Sequence, residues 1–429
     1  MHMNPGMDPM ASSPYARETA LPEIGGPGMG EPGMGLAQDR SIKVALAPLR
    51  GIDALARDWN DLEVRADGSV FLSWLWVATW LKHWPAGERP HVLTARRDGQ
   101  VVGLALLCPR LAWGFPAIPK RRWVLQGADQ RFPNHSAALA DAILADRRCA
   151  NAVLAACVGW LCGQLGPRDE LLLAGVGADA EPTALGAAAV HGSRAVIRWA
   201  AQAHWVDLDR VRRRGGDGLA GFLAGLGPNT RSSVRRSLRL YERHGPLSYR
   251  VAGSVEEGLE DFRTLEVLRR AASMVRGHPA DFFNQRRAPF LRALIADGLD
   301  SGAVRLCRVS AGNRPVGVLC NLVHRNRTVT FQSGFAFEDD NRCKPGLVSH
   351  TLAIADALDR GEDRYAFPAL PSGSRPRLSN AVQPLRWIAL QPQPFGQRVE
   401  TAVQRARAQA AGVCGPSDGL RDEAVRIQR

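Results

Sequence analysis

The chain has 429 residues, of which 45% are hydrophobic and 23% charged, a balance typical of a folded protein rather than a disordered or fibrous one. This length favours two domains over a single core. Lysine and arginine outnumber aspartate and glutamate by 55 to 42, giving a formal net charge of +13. The surplus favours anionic partners without choosing among them, although a GC-rich genome also produces arginine- and alanine-rich chains.

Several classes are excluded by simple patterns. The longest apolar run, Ala152–Cys162, is too short to span a bilayer, and no secretory signal opens the chain. Eight cysteines form no CxxC pair, and ten histidines form no HxH or HExxH spacing. We therefore expect a reduced, cytoplasmic protein without a membrane span or a bound metal.

In chain order, residues 1–40 are rich in glycine, proline and methionine and predict a disordered leader. A first half over residues 41–200 follows, and its most local signal is Asp98-Gly99 between two apolar strands, which predicts a hairpin. Four tryptophans at helical spacing predict a packed helix, with a substrate-facing wall as the minor alternative. The predicted elements are the strand Ile42–Ala47, helices Ile52–Val64 and Trp74–Trp84, hairpin strands His91–Arg97 and Val101–Leu107, strand Trp123–Gln126, a loop over Gly127–His135, helix Ala137–Leu165 and strand Leu171–Ala174.

The second half, residues 201–395, repeats the plan, and a polar tail over residues 396–429 follows it. Asn229 or Thr230 is expected to cap the helix that runs to His244. The predicted elements are the strand Trp205–Leu208, helix Leu219–Leu226, that capped helix, strand Leu247–Val251, helices Val255–Ser273 and Ala280–Ala296, strands Ala303–Ser310, Pro315–His324 and Thr328–Gly334, a helix from Pro345 to Arg360, and strands Tyr365–Ala369 and Leu385–Gln391.

One similarity between two segments of the sequence supports an internal duplication of the chain. The segment from Asp98 to Leu104 resembles the segment from Gly312 to Val318, and both are turns that enter a strand beginning Val-Gly. Two similar α/β halves would explain the similarity, as would a chance likeness of two hairpins.

The most informative stretch runs from the strand Phe331–Phe335 through an acidic loop to a helix start. Proline suits the first helical turn, and glycine beside it lets a ligand approach the backbone. Free amides and the positive helix end favour an anion there, as do basic side chains. The residues that would hold a nucleotide carrier are Arg342, Lys344, Pro345, Gly346 and Leu347. An ordinary strand-to-helix connection has the same form.

From Trp205 onward, these features occur in an order that resembles the acetyltransferases of cellulose and exopolysaccharide biosynthesis, the CelD-like branch of the GNAT superfamily. The matching segments include Asn229–Arg236, Arg314–Gly317, Phe331–Phe335 and Lys344–Leu347. The first half resembles the family's N-terminal portion, for example in Phe71–Leu75. A late Tyr-Lys pair of the family is replaced here by Gly373–Arg377.

The resemblance implies an α/β protein of two tandem GNAT-like halves, with mixed central sheets flanked by helices. It also implies acetyl-CoA or another acyl-CoA as co-substrate, held at the helix start. Backbone oxyanion donors are expected where the strand Thr328–Gly334 separates from its neighbour. The polar side chains nearby nominate His324 as base, Gln332 as a polar contact and Tyr365 as acid.

A basic helix adds a third candidate region. Val234, Leu238 and Tyr241 form its apolar stripe, and its most regular arginines lie one turn apart. Guanidinium groups bind phosphates and carboxylates with paired hydrogen bonds, so this row of arginines is consistent with contacts to an anionic acceptor. It is equally consistent with a basic face that is exposed to solvent. The row consists of Arg231, Arg235 and Arg239.

The resemblance therefore implies an acyltransferase that moves an acyl group from acyl-CoA to a sugar, an amino sugar or another small polar acceptor, such as a polysaccharide precursor. Two alternatives stay open. One is an aminoacyl-tRNA-dependent transferase of the FemABX kind, which shares the paired halves. The other is a non-catalytic binding protein, suggested by the missing Tyr-Lys pair.

Overall fold

A computed structural model describes residues 41–84, 90–114, 118–125, 143–275, 287–368, 370–371 and 377–393. The predicted leader over residues 1–40, the loop over residues 127–135 and the polar tail over residues 396–429 lie outside these ranges, as does most of the segment that replaces the Tyr-Lys pair.

The first half begins at β1 and ends with a long strand, β7. Residues 143–165 were expected to be helical throughout, but Leu144 and Ala145 form a short strand, because Leu144 is buried and pairs with Leu104. The elements are β1 (Ile42–Pro48), α1 (Ile52–Arg65), a 3-10 turn (Val70–Leu72), α2 (Trp74–Lys82), β2 (His91–Arg97), β3 (Gln100–Gly114), β4 (Ile118–Leu125), β5 (Leu144–Ala145), α3 (Ala150–Gln164), β6 (Glu170–Gly177), α4 (Glu181–Val190) and β7 (Ser193–Asp207).

The second half continues directly from β7. Its basic helix starts at Pro228 with Gly227 as the N-cap, not at the predicted caps Asn229 or Thr230, because proline fits the first helical turn. The elements are α5 (Leu208–Arg212), α6 (Gly218–Ala224), α7 (Pro228–Glu242), β8 (Leu247–Val251), α8 (Val255–Val275), α9 (Arg287–Gly298), β9 (Val304–Ala311), β10 (Arg314–His324), β11 (Arg327–Phe335), α10 (Pro345–Asp359), β12 (Arg364–Ala366), β13 (Leu370–Pro371) and β14 (Ala381–Pro392).

The hairpin predicted at Asp98-Gly99 is confirmed, and a second tight hairpin turn lies at Arg325-Asn326, between two strands predicted from the sequence. Asp98 and Gly99 have φ angles of 51° and 80°, and Arg325 and Asn326 have 50° and 61°. Two successive positive φ angles define the type I′ turn, whose twist matches that of paired strands. These turns set the registers of β2 with β3 and of β10 with β11.

The described strands form one 14-stranded mixed sheet, whose main path is β1-β2-β3-β4-β6-β14-β7-β12-β11-β10-β9-β8. Along this path two pairs are parallel, β4 with β6 and β11 with β12, and the other neighbours are antiparallel. The order β1-β2-β3-β4-β6 on one side therefore repeats as β8-β9-β10-β11-β12 on the other. This symmetry confirms two tandem halves of the same α/β plan.

The two halves exchange their last strands at the centre of the sheet. β14 lies between β6 and β7, while β7 pairs on its other side with β12. Only the end of β7 was predicted, and the proposed boundary between residues 200 and 201 falls inside this strand. Each half thus completes its sheet with a strand of the other.

The similarity in the sequence corresponds to equivalent glycines on β3 and β10. A Cβ atom at Gly103 would collide with the side chain of Val153, at the start of α3. One at Gly317 would collide with the side chain of Ser349, at the start of α10. In both halves the glycine lets a helix approach its own sheet.

One apolar cluster joins the halves on the opposite face of the sheet. The Trp76 ring meets Phe71, Phe290 and Phe331 edge-on, with centroids 4.9, 5.1 and 5.2 Å away. Edge-to-face packing of this kind stabilises aromatic cores. The core role predicted for the tryptophan helix is confirmed. Among the described helices, none has the length and apolarity that crossing a membrane requires.

Candidate functional site

A gap opens between two parallel strands of the second half. β11 pairs with β12 only from Arg327 to Val329, and then continues to Phe335 along β10 alone. Beyond β12 the chain follows β7, because the Phe367 amide donates to the His204 carbonyl at 2.9 Å. The two strands therefore diverge, as expected for the strands Thr328–Gly334 and Tyr365–Ala369, and leave one edge of β11 open beside α10.

A β-bulge lies where the gap begins. Cys320 pairs with Gln332 and the next residue, Asn321, pairs with Thr330, so Phe331 is an extra residue on β11. Bulges leave a backbone group out of the ladder and redirect side chains. Here Phe331 packs on Trp76, and Gln332 accepts a hydrogen bond from Arg269 of α8.

The start of α10 borders the open end of the gap. The Lys344 amide donates to Ser237 Oγ of α7 at 2.8 Å, and Pro345 occupies the first turn. The amides of Gly346 and Leu347 have no acceptor among the described residues, and both residues are partly exposed. A Cβ at Gly346 would lie 3.3 Å from the Phe335 ring. Free amides at a helix start can bind an anionic group.

The charge of Arg342 is shared with a neighbouring carboxylate. Its Nη2 lies 2.8 Å from Asp340 Oδ2, and its hydrogen bonds lower the Asp340 pKa to about 2. Arg236 of α7 also lowers that pKa by its charge, which places a second guanidinium near the loop. Of the five predicted carrier-binding residues, four form the helix start and Arg342 stands beside it, already paired.

The three predicted catalytic side chains lie in different places. Tyr365 is fully buried on the α10 side of β11, where burial raises its pKa. Gln332 faces α8 on the other side of the sheet. His324 lies seven residues along β10 from Gly317, which pairs with Phe335; at about 3.3 Å per residue this is roughly 23 Å from the open end.

His324 instead lines a pocket of about 640 Å³ at the junction of the halves. Its Nδ1 lies 3.9 Å from Glu63 Oε1, and Trp74 forms another part of the wall. Burial, with the nearby charges of Arg325 and Arg327, lowers the His324 pKa to about 4. The imidazole is therefore neutral near pH 7. One tryptophan of the predicted stripe thus does face a pocket.

The arginine row of α7 lies away from the gap. The helix buries Ser233, Val234, Ser237 and Tyr241, and the row occupies the other side. Arg235 and Arg239 are exposed, while Arg231 Nη1 is 3.5 Å from a carbonyl oxygen, that of Ala224. The row can therefore meet only a ligand that extends over the outer surface of α7.

Two polar residues near the gap were missed from the sequence. His350 lies on α10 with its Nδ1 3.0 Å from the Tyr365 hydroxyl, and Arg269 on α8 donates to Gln332. The feature of the sequence that could have identified His350 is its position one helical turn after Gly346, because this spacing places both residues on one face of the helix. No group of three histidine, cysteine or acidic side chains in the described ranges is arranged to hold a metal ion.

Comparisons with known proteins agree with this geometry. Residues 228–373 match the family model of the acetyltransferase (GNAT) domain. Comparison with curated proteins finds no match. The structure resembles FemX at 12% identity and a TM-score of 0.50, with 82% of this chain and 99% of that chain covered.

Two further solved structures align over similar lengths. The C-terminal domain of a putative lysylphosphatidylglycerol synthetase from Agrobacterium fabrum is 12% identical, with a TM-score of 0.47, covering 83% of this chain and 96% of that chain. A tandem GNAT protein from the clavulanic acid biosynthesis pathway is 15% identical, with a TM-score of 0.41 and coverages of 82% and 99%. Residues 228–373, in the second half, therefore resemble a GNAT acetyltransferase domain, and the strand order of this half repeats that of the first.

Proposed function

We propose that the chain is an acyltransferase that moves an acyl group from acyl-CoA to a sugar, an amino sugar or another small polar acceptor, in polysaccharide biosynthesis of the CelD-like kind. The observation that carries the proposal is the start of α10. Its two amides without acceptors, next to Lys344 and opposite Phe335, suit the phosphates of a nucleotide carrier.

The gap between β11 and β12 suits the rest of such a carrier. It leads from the helix start to the bulge at Phe331, along strand edges that offer unpaired backbone groups. Bound acyl-CoA would supply the activated thioester, and transfer needs hydrogen-bond donors where charge develops on the carbonyl oxygen. A backbone amide at the bulge is the proposed donor.

The acceptor is proposed to approach on the α8 side of the sheet, where Gln332 and Arg269 lie together. In this arrangement we propose that Gln332 contacts the reacting groups. Tyr365 is fully buried, so any role it has passes through a neighbour. His324 lies four residues along β10 from Cys320 at the bulge, roughly 13 Å away, and lines the junction pocket, so we assign it to that pocket instead.

A second candidate is an aminoacyl-tRNA-dependent transferase. This candidate is favoured by the arginine row of α7, which consists of Arg231, Arg235 and Arg239. An extended polyanion such as tRNA could cross the outer face of this helix next to the start of α10. In the first candidate the same row would contact only an extended anionic acceptor, one that reaches from the gap to the outer surface of α7.

The test uses Gly346→Glu, which places a carboxylate at the proposed phosphate seat. We expect its affinity for acetyl-CoA, measured by isothermal titration calorimetry, to fall about tenfold or more through charge repulsion. The matched control is Gly186→Glu, an exposed helical glycine of the first half with open space around it.

The outcomes separate the candidates. Equal affinity in the wild type and Gly346→Glu would remove the helix start from the site. A wild-type protein whose melting temperature rises with aminoacyl-tRNA but not with acetyl-CoA would favour the second candidate. If neither ligand binds, the transferase proposal fails.

A further inference from the structure

A hydrogen-bonded chain of three side chains lies at the closed end of the gap. The Tyr365 hydroxyl oxygen is 2.8 Å from Thr330 Oγ1 on β11 and 3.0 Å from His350 Nδ1 on α10. Tyr365 and Thr330 are buried, with 0% and 2% of their surface exposed, while His350 keeps a partial exposure. Of the three, the imidazole is therefore the group that can reach a ligand.

The protonation states limit the directions in which this chain of hydrogen bonds can run. Burial lowers the His350 pKa to about 4, so the ring is neutral near pH 7, and burial raises the Tyr365 pKa, so the phenol keeps its proton. Thr330 donates to the phenol oxygen. In the arrangement in which the phenol donates to His350 Nδ1, the ring hydrogen is on Nε2.

The surroundings of His350 are otherwise apolar. The rings of Phe335, Tyr365 and Phe367 surround the imidazole with centroids 5.7, 6.1 and 5.3 Å away. No acceptor for Nε2 lies among the described residues. Because His350 is partly exposed, a ligand acceptor can reach Nε2 without displacing a partner among the described residues.

The imidazole is also placed on the path from the helix start to the gap. His350 follows Gly346 by one turn of α10 and shares its face, and both residues contact the Phe335 ring. A carrier whose phosphates sit at Gly346 would extend its arm past Phe335 towards the bulge. The arm of an acyl-CoA carries amide and thioester carbonyl oxygens, which are hydrogen-bond acceptors.

We propose that His350 binds the arm of the acyl carrier, with Nε2–H donating a hydrogen bond to one of its carbonyl oxygens. Tyr365 and Thr330 are positioning residues, which hold the imidazole in the tautomer that leaves this donor free. The inference rests on the proposed function, because it assigns a role within the same site. In this inference the buried Tyr365 acts through His350, whose ring it positions.

The experiment compares two probes, acetyl-CoA and adenosine 3′,5′-bisphosphate, which has phosphates but no arm. We expect His350→Phe to weaken acetyl-CoA binding about five- to tenfold, the value of one hydrogen bond, and to change bisphosphate affinity less than twofold. His350→Gln, whose amide can place an N–H near the Nε2 position, should restore part of the loss. Gly346→Glu should weaken both probes.

The tautomer is measured directly on the wild-type protein. Nitrogen-15 spectra of labelled histidine distinguish a protonated ring nitrogen from an unprotonated one, and we expect Nε2 of His350 to carry the hydrogen. Its signal should move on addition of acetyl-CoA and not of the bisphosphate. In Tyr365→Phe, which keeps the ring, the two tautomers should become mixed.

Several results would overturn the inference and leave the proposed function standing. These are unchanged acetyl-CoA affinity in His350→Phe, equal losses for both probes in that variant, and a wild-type His350 protonated on Nδ1. A folded wild-type protein that binds neither probe would end the proposed function itself, and this inference with it. Melting temperatures establish that each variant is folded.

Discussion

At the scale of single residues, one buried carboxylate forms hydrogen bonds to several strands in the middle of the sheet. Glu170 begins β6 with 1% of its surface exposed. It accepts hydrogen bonds from Lys120 and Arg122 of β4, from Arg198 of β7 and from Gln391 of β14. Burial alone would raise its pKa, but the hydrogen bonds from Lys120, Gln391 and Arg122 and the charge of Arg122 lower it to about 2. Four strands therefore meet at one acidic side chain.

We expect Glu170→Gln to lower the free energy of unfolding at pH 7 by roughly 1–3 kcal/mol, because it leaves the facing cations without a counter-charge. The folded pKa, about 2, lies below the reference value of 4.5. The stabilisation by this carboxylate is thus complete above the reference value and is lost as the pH falls towards 2.

Urea unfolding at pH 7, 4.5 and 3 measures this effect. The difference between the wild type and Glu170→Gln should shrink as the pH falls. Glu260→Gln, at an exposed glutamate of α8, is the control and should change stability little. A difference between wild type and Glu170→Gln that is constant with pH would contradict the assignment.

The sequence identified part of the candidate site because that part is local. Lys344, Pro345 and Gly346 are adjacent in the chain, so a helix start with free amides could be predicted from these three consecutive residues. His350 gains its meaning from Tyr365, fifteen residues away on a strand, and from the direction of a hydrogen bond. Such pairings depend on the fold, which the sequence pattern does not show.

At the scale of elements, the paired glycines of β3 and β10 fix how closely each helix packs on its half. A Cβ at Gly317 would meet the Ser349 side chain, the Phe335 ring and the Gly334 carbonyl. Phe335 also borders Gly346. The position of α10, and with it the candidate site, therefore depends on a residue of β10 that touches no ligand.

We expect Gly317→Ala and Gly103→Ala each to lower the free energy of unfolding by roughly 1–3 kcal/mol through overpacking. Only Gly317→Ala should also weaken acetyl-CoA binding, because only it displaces α10. Denaturant unfolding and calorimetry on the two variants check this. Equal effects of both glycines on binding would show that the helix position does not control the site.

Hairpins and single strands were predicted better than the connections between them. Asp98-Gly99 fixes a turn by itself, and β8 was predicted to the residue, from Leu247 to Val251. β7 was predicted only at its end, because its first part alternates poorly and several of its residues are exposed. The place of β14 between β6 and β7 could not be predicted, since apolar alternation does not name a strand's neighbours.

At the scale of the whole molecule, the exchanged strands join the halves more firmly than a linker would. β7 belongs to the first half in sequence but pairs with β12, and β14 belongs to the second but pairs with β6. Separating the halves would break both ladders and expose the apolar edges of central strands.

We expect the halves to stay together after the chain is cut between them. A specific protease site inserted at the exposed turn Arg213–Gly215 allows this cut after folding. The fragments should co-elute in native size-exclusion chromatography and separate only in denaturant. In the matched variant Leu385→Asp, a charge at a buried position of β14 should loosen them. Separation of the wild-type fragments in native buffer would contradict the exchange.

The same exchange has a consequence for synthesis on the ribosome. β6 emerges more than two hundred residues before its neighbour β14, so the first half leaves the exit tunnel with an incomplete sheet. During that interval the backbone groups of Leu171 and Leu173 that will pair with β14 have no partner strand and are accessible to other nascent chains. We therefore expect this edge of β6 to be prone to non-native pairing until the last strand arrives.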